Sequence, residues 1–203
     1  MTRSDRTPRQ RLDPAERRES ILAAAGHVFA TQPYETASIA AVAAASSGSE
    51  ALVYKYFSGK ADLYAHALRR AVEDLAERRA AALAALPDGV PVRDRVRVIT
   101  LAHLDEVAGN PHGWASPVRR PSGEPEAAEA VRDEARRVDV ELLRGLLSPS
   151  ATVRHGYALT AWWGYLDAAA HEWAERGCPA DERWPLVDAA LGALEGALGD
   201  WAA

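Results

Sequence analysis

Residues 36–63 read TASIAAVAAASSGSEALVYKYFSGKADL, and the fold turns on this stretch. Two short apolar-patterned segments flank a small polar break, Ser46-Ser47-Gly48-Ser49. The second segment ends in Tyr54-Lys55-Tyr56-Phe57, followed by Ser58-Gly59-Lys60. Each segment is too short to be a stable helix alone. Two such helices joined by a tight turn make a helix-turn-helix. Its first helix braces on the duplex backbone and its second lies in the major groove.

Working outward, Asp13-Pro14-Ala15-Glu16 is a helix start: Asp at the cap, Pro at the first helical position and Glu at the third. Ile21, Leu22, Ala25, Val28 and Phe29 then share one face, and the helix ends near Pro33. After the motif a long helix is expected from Lys60 to about Leu86, with Leu63, Leu68, Val72, Leu75 and Leu83 inward. Pro87-Asp88-Gly89 breaks it. A fifth helix carries Val92, Val96, Ile99, His103 and Val107 on one side. Residues 109–125, with four prolines and three glycines, read as a loop with a helical turn near Trp114. Helices are expected over 126–147, from Pro149 to about Arg176, and from about Asp181 to the end. The fold class is all-α, about nine helices, with no strand pattern and no fixed-period repeat.

This divides the chain into a basic arm (1–12), a helix-turn-helix domain (13–60, motif about 38–57), a connecting helix (61–86) and a helical domain (87–203). The net charge of −5 is uneven. Residues 1–60 hold eight Lys/Arg against six Asp/Glu, which leaves the acidic excess to the rest. A mildly basic head on an acidic body suits contact with a polyanion at one end. The arm carries Arg3, Arg6, Arg9 and Arg11, suited to a minor groove or to phosphates, or else simply solvated. A lone Cys178 cannot form an internal disulfide, and the charged N-terminus has no apolar segment, so a cytoplasmic location with no membrane contact is expected.

The order Ile21-Leu22-x-x-Ala25, Phe29, Tyr34-x-Thr36-x-Ser38-Ile39-x-x-Val42-Ala43, Val53-Tyr54-x-Tyr56-Phe57, Ser58-x-Lys60-x-x-Leu63 resembles the TetR family of bacterial one-component regulators. The resemblance covers about residues 16–70. It implies an all-helical homodimer whose first three helices bind double-stranded operator DNA and whose later helices dimerise and hold an effector. Many relatives read Ala-Gly-Val-Ser in the turn, and a basic residue followed by Gly where this chain has Glu50-Ala51.

Tyr54, Tyr56, Lys60 and Ser38 offer donors suited to phosphate oxygens, with packing as the competing role for the tyrosines. Base contacts then fall to Ser49, Glu50, Ala51, Leu52 and Lys55. Glu50 either accepts from cytosine N4 or is a solvated charge. In the last helix, Val187, Leu191, Leu194, Leu198 and Trp201 recur at four- and three-residue steps, a seam suited to a partner helix or to the subunit's own core. Gly192, Gly196 and Gly199 in the same helix suggest close approach of another helix. His103, Trp114, Trp162, Trp163 and Tyr165 are candidates for a pocket holding an apolar or aromatic effector, against plain packing. His171 and Glu175 stand one turn apart without a third ligand, which reads as a surface pair rather than a metal site. No phosphate loop, nucleophile elbow or paired-acid motif is present, so no cofactor and no catalytic role is expected. The expected function is a repressor released from its operator by a small molecule. The alternative is a helical carrier or enzyme with a vestigial helix-turn-helix.

Overall fold

The computed structural model describes residues 13–110, 116, 120, 123–148 and 152–199. The described residues form eight α-helices and no strand: α1 Pro14–Thr31, α2 Ile39–Ala45, α3 Glu50–Tyr56, α4 Lys60–Ala84, α5 Val92–Gly109, α6 Glu126–Leu147, α7 Val153–Glu175 and α8 Arg183–Leu198. A 3₁₀ turn, Ala180–Glu182, precedes α8. The arm, Trp114 and Trp201 lie outside the described residues.

Local chemistry sets the ends. Asp13 accepts from the amides of Ala15 and Glu16, while the Glu16 carboxylate accepts from the Asp13 amide, completing a capping box. One expected start lies outside the described residues and one shifts. The expected start at Pro149 is of the first kind; α7 runs from Val153, where Thr152 caps it by accepting from the His155 amide at 3.2 Å. α8 begins at Arg183 rather than Asp181, because the residues after Pro179 form the 3₁₀ turn.

Burial separates two cores. The first gathers α1, α2, α3 and the start of α4 around Ile21, Phe29, Val53, Phe57, Leu63 and Leu68. The second gathers α5, α7 and α8 around Ile99, Leu104, Leu159, Leu166, Leu191 and Leu194. Two helices cross between them. α4 buries Leu63 and Leu68 in the first core and packs Leu83 on the second. α6 buries Ala128 and Val131 in the first and Leu143 and Leu146 in the second. The α4 bridge was expected from sequence. The α6 bridge was not.

The last helix corrects one expectation. Val187, Leu191, Leu194 and Leu198 are buried inside a single subunit against α5 and α7, so the seam is core. Pro185, Ala189, Gly192 and Gly196 lie on the exposed side of α8. Apart from the neighbouring residues and backbone of α8 itself, no described atom lies within 4 Å of where a Cβ would sit on Gly192 or Gly196, so that side is open.

Candidate nucleic-acid interface and the polar interior

The polar break folds as a turn that only part of its sequence advertises. Gly48 donates to the Ala43 carbonyl at 2.8 Å, and Ser46 hydroxyl donates to the same oxygen at 3.2 Å. A Cβ on Gly48 would stand 3.2 Å from Leu52 Cδ2, so glycine here serves the close packing of α2 on α3. The left-handed position is Ser47, with φ 53°. Such a conformation brings a side chain's Cβ against its own backbone.

Ser38 and Ser49 are helix caps. Ser38 accepts from the Ala41 amide at 3.1 Å, and Ser49 from the Leu52 amide at 3.2 Å. Each hydroxyl keeps its own proton for donation, since accepting uses only an oxygen lone pair. On α3, Val53 is buried and anchors the helix, and Phe57 closes it from the core. Glu50, Ala51, Tyr54 and Lys55 occupy the outward side, and Tyr54 is 54% exposed despite its size. Leu52 and Tyr56 are only half exposed and pack on the first core. Of the residues expected to reach bases, Leu52 is therefore the one turned inward.

Lys60 is held. Its ammonium lies 4.3 Å from the Tyr34 ring centroid and donates to the Glu35 carbonyl at 3.3 Å. Lys55 leans over Tyr56 at 5.9 Å. Behind α3, the Arg18 guanidinium stacks on Phe57 at 5.1 Å and meets His66 Nδ1 at 3.3 Å. An arginine has no acceptor, so this contact requires the His66 proton on Nε2, which faces Asp62 at 3.5 Å. Asp62 also accepts from the Ser58 amide at 2.8 Å. This relay ties α1 to the start of α4, and neither its histidine nor its arginine was singled out from sequence.

A second arrangement lies in the interior. Tyr64 packs edge-on against Phe29 and Tyr34 in the first core. Its hydroxyl donates to Glu124 at 2.9 Å. Arg132 of α6 is fully buried and donates to both Glu124 oxygens, to Tyr64 and to the Ser116 carbonyl. Ser116 hydroxyl donates to Asp167 of α7 at 2.7 Å. Asp167 stands 3.6 Å from His103 and 3.8 Å from His171. Burial pushes the Tyr64 phenol far above its usual pKa. His171 is thus buried toward Asp167, and the expected surface pair with the exposed Glu175 does not form.

Arg79 of α4 completes the interior. It pairs with Asp139 of α6, meets His103 Nδ1 at 3.2 Å and stacks on Trp163 at 4.6 Å. Burial lowers the Arg79 pKa and raises that of Asp139, while the charge and hydrogen bond of each partner act the other way. His103 is driven well below its usual pKa, first by burial and then by the Arg79 charge and His171.

Among the described residues, the expected aromatic pocket is not assembled. Trp162 and Trp163 are buried packing residues whose indoles donate to the Ala190 and Asp139 carbonyls at 2.7 and 2.9 Å. His103 is a core histidine beside Trp163. Tyr165 lies on the opposite, exposed side of α7 and cannot join them. A cleft of about 480 Å³ instead opens between α4 and α6, lined by Val72, Leu75, Ala76, Arg79, Val138 and Asp139 among others.

Among the described residues, no helix is long and apolar enough to cross a membrane.

The family model of bacterial regulatory proteins of the tetR family matches residues 21–67, the stretch from the middle of α1 to the start of α4. A curated relative, the HTH-type transcriptional activator FasR of Mycolicibacterium smegmatis, is 32% identical over 104 residues. Those residues are 51% of this chain and 46% of the relative, so the chain matches about half of that protein's length. A crystal structure of a tetR-family transcriptional regulator from Streptomyces coelicolor superposes with a TM-score of 0.74 at 23% identity, covering 92% of this chain and 80% of that one. The regulator FadR of Bacillus subtilis, solved in complex with stearoyl-CoA, superposes at 0.65 with 17% identity over 89% and 97% of the two chains.

Proposed function

From a chain that carries the tetR-family domain at residues 21–67 and has the fold of tetR-family regulators along most of its length, we propose a DNA-binding transcriptional regulator of the cytoplasm. It acts as a homodimer and answers to a small molecule. The observation that carries this reading is the outward side of α3. There Glu50, Ala51, Tyr54 and Lys55 stand exposed on a helix whose other side is locked into the first core. Ser38, Ser49, Tyr56 and Lys60 flank them as phosphate donors. An isolated exposed tyrosine beside a lysine suits an aromatic stem ending in a donor, the chemistry a phosphate oxygen needs.

The dimer forms through the outer sides of α7 and α8. Exposed Val153, Tyr157, Tyr165 and Trp184 lie on these two helices with the open glycines Gly192 and Gly196. Two α3 helices in such a dimer enter successive major grooves about 34–36 Å apart. The regulator is a repressor. An effector in the helical domain favours a second packing of the bundle, α4 carries the change to the motif, and effector and DNA weaken each other's binding by one common factor. The effector is apolar in large part, as suggested by the stearoyl-CoA held by the FadR neighbour. The name of the FasR relative favours activation as the second reading.

Gel-shift titration against a randomised duplex library tests the function. The expected result is a selected two-half-site sequence bound in a salt-sensitive complex, with Tyr54→Phe weakening all sequences about equally, by roughly tenfold. Absence of any selected sequence would end the regulator reading. In vitro transcription from the selected site then separates repression from activation.

A further inference from the structure

Two contacts fasten the head, α1 to α3 with the start of α4, to residues 123–132. The first is a close approach of backbone to side chain. Gly123, at φ 69°, lies so near Glu35 that a Cβ there would run into the Glu35 side chain. The same Tyr34–Glu35 turn holds Lys60, whose ammonium lies over the Tyr34 ring and donates to the Glu35 carbonyl. The second contact is polar and buried. Tyr64, 1% exposed, meets the Tyr34 ring edge-on at 5.0 Å. Its hydroxyl donates to Glu124 and accepts from Arg132 at 3.3 Å. Arg132, 0% exposed, reaches both Glu124 oxygens from Nε at 2.8 and 2.9 Å. Ala128 and Val131 complete the joint with apolar packing in the first core.

Pulling the head away from α6 here would strand a buried guanidinium or carboxylate. The forked contact of Arg132 on Glu124 also fixes an angle as well as a distance. Beyond the joint the two bridging helices are held less closely. A cleft of about 480 Å³ opens between α4 and α6, and the next side chains that α6 buries in the second core are Leu143 and Leu146. We propose that Tyr64, Glu124 and Arg132 are positioning residues for DNA binding. They make residues 123–132 part of the head, so α6 sets the orientation of α3 together with α4. In a dimer, fixing that orientation fixes the spacing at which two α3 helices meet their half-sites. One base pair more or less between half-sites turns one of them by roughly 34–36° about the duplex axis. A head held at two points follows that turn less readily than a head held by α4 alone. This role rests on the regulator reading above; the joint itself does not.

Gel shifts with the selected duplex, and with duplexes whose half-sites are one base pair closer or further apart, test the role. Tyr64→Phe keeps the ring in the core and removes the hydroxyl. Glu124→Leu/Arg132→Met replaces the ion pair with apolar side chains of similar size, a change that buried pairs often tolerate without loss of fold. Each variant is expected to bind non-specific DNA as wild type does. Each should lose about tenfold of the preference for the selected spacing, the order that hydrogen bonds to a charged group supply. A wild-type preference in the variants overturns the role. So does an equal loss on every duplex, non-specific DNA included, which is what destabilisation alone gives. The double variant is read only if its circular dichroism matches wild type; otherwise Tyr64→Phe decides. A DNA-free measurement separates the joint from the regulator reading. In proton–nitrogen correlation spectra of the full chain, the Arg132 Nε–H should give a slowly exchanging signal that is missing from Arg132→Lys. Its absence from wild type overturns the joint. Its presence in a wild type that selects no DNA sequence ends the regulator reading, and the positioning role with it, while the joint stands.

Discussion

Ser47 holds the left-handed position of the α2–α3 turn, beside a glycine that is needed for a different reason. A non-glycine residue there costs roughly 1–2 kcal/mol, partly offset by the added chain freedom that glycine brings to the unfolded state. Ser47→Gly is therefore expected to stabilise the protein by ~0.5–1 kcal/mol, read as a higher urea midpoint at unchanged slope. Gly48→Ala should do the opposite, since its Cβ meets Leu52 at 3.2 Å. His103 supplies a pH dependence. Its folded pKa is held below the ordinary 6.5 by burial, Arg79 and His171. Below about 6.5 the unfolded chain takes up this proton and the folded one does not, so stability falls as pH falls and is full above that value. The slope reaches up to ~1.4 kcal/mol per pH unit for one proton. Urea melts at pH 7 and pH 5.5 should show a smaller difference in His103→Gln than in wild type. Asp139 and Glu106, with raised pKa values, oppose this trend, because as pH falls the folded chain protonates these carboxyls before the unfolded chain does.

Among the elements, α6 was the least legible. Its limits, 126 to 147, follow from its heptad-like apolar pattern and from Pro125 ahead of it. Its role does not. A buried arginine reads in sequence like any surface arginine, and Arg132 looks no different from Arg136 or Arg137. Only the packing of Ala128 and Val131 onto the first core draws Arg132 to Tyr64 and Glu124. Removing one member of a buried ion pair strands the other, at about 3–5 kcal/mol. Arg132→Ala should lower stability by that order in chemical denaturation, far more than Arg137→Ala on the exposed side of the same helix. α7 was misjudged in a related way. Its tryptophans invited a ligand, but their indole protons are already spent on backbone carbonyls.

At the scale of the molecule, the outer sides of α7 and α8 decide assembly. Gly192 faces open space in one subunit, and glycine within a helix costs roughly 1 kcal/mol against alanine. Gly192→Leu therefore meets no obstacle inside the subunit and gains helix propensity. If the proposed dimer brings a partner helix against this face, the added side chain blocks it. Sedimentation should show a monomer at concentrations where wild type dimerises, with helicity by circular dichroism unchanged. A variant that stays dimeric would place the contact elsewhere.

Sequence alone determined the all-α class, most helix limits and the helix-turn-helix, because these depend on short-range patterns: caps, periodicity, and the spacing from Ile21 to Leu63. The recurrence of Val187, Leu191, Leu194 and Leu198 was equally visible, but periodicity states only that one side is buried, not by which chain. Tertiary structure decided that, along with the inward placement of Trp162 and Trp163, the second bridge through α6 and the cleft beside Arg79. These depend on which surfaces meet across distant parts of the chain, and the burial of a charge is a property of that meeting rather than of its neighbours in sequence.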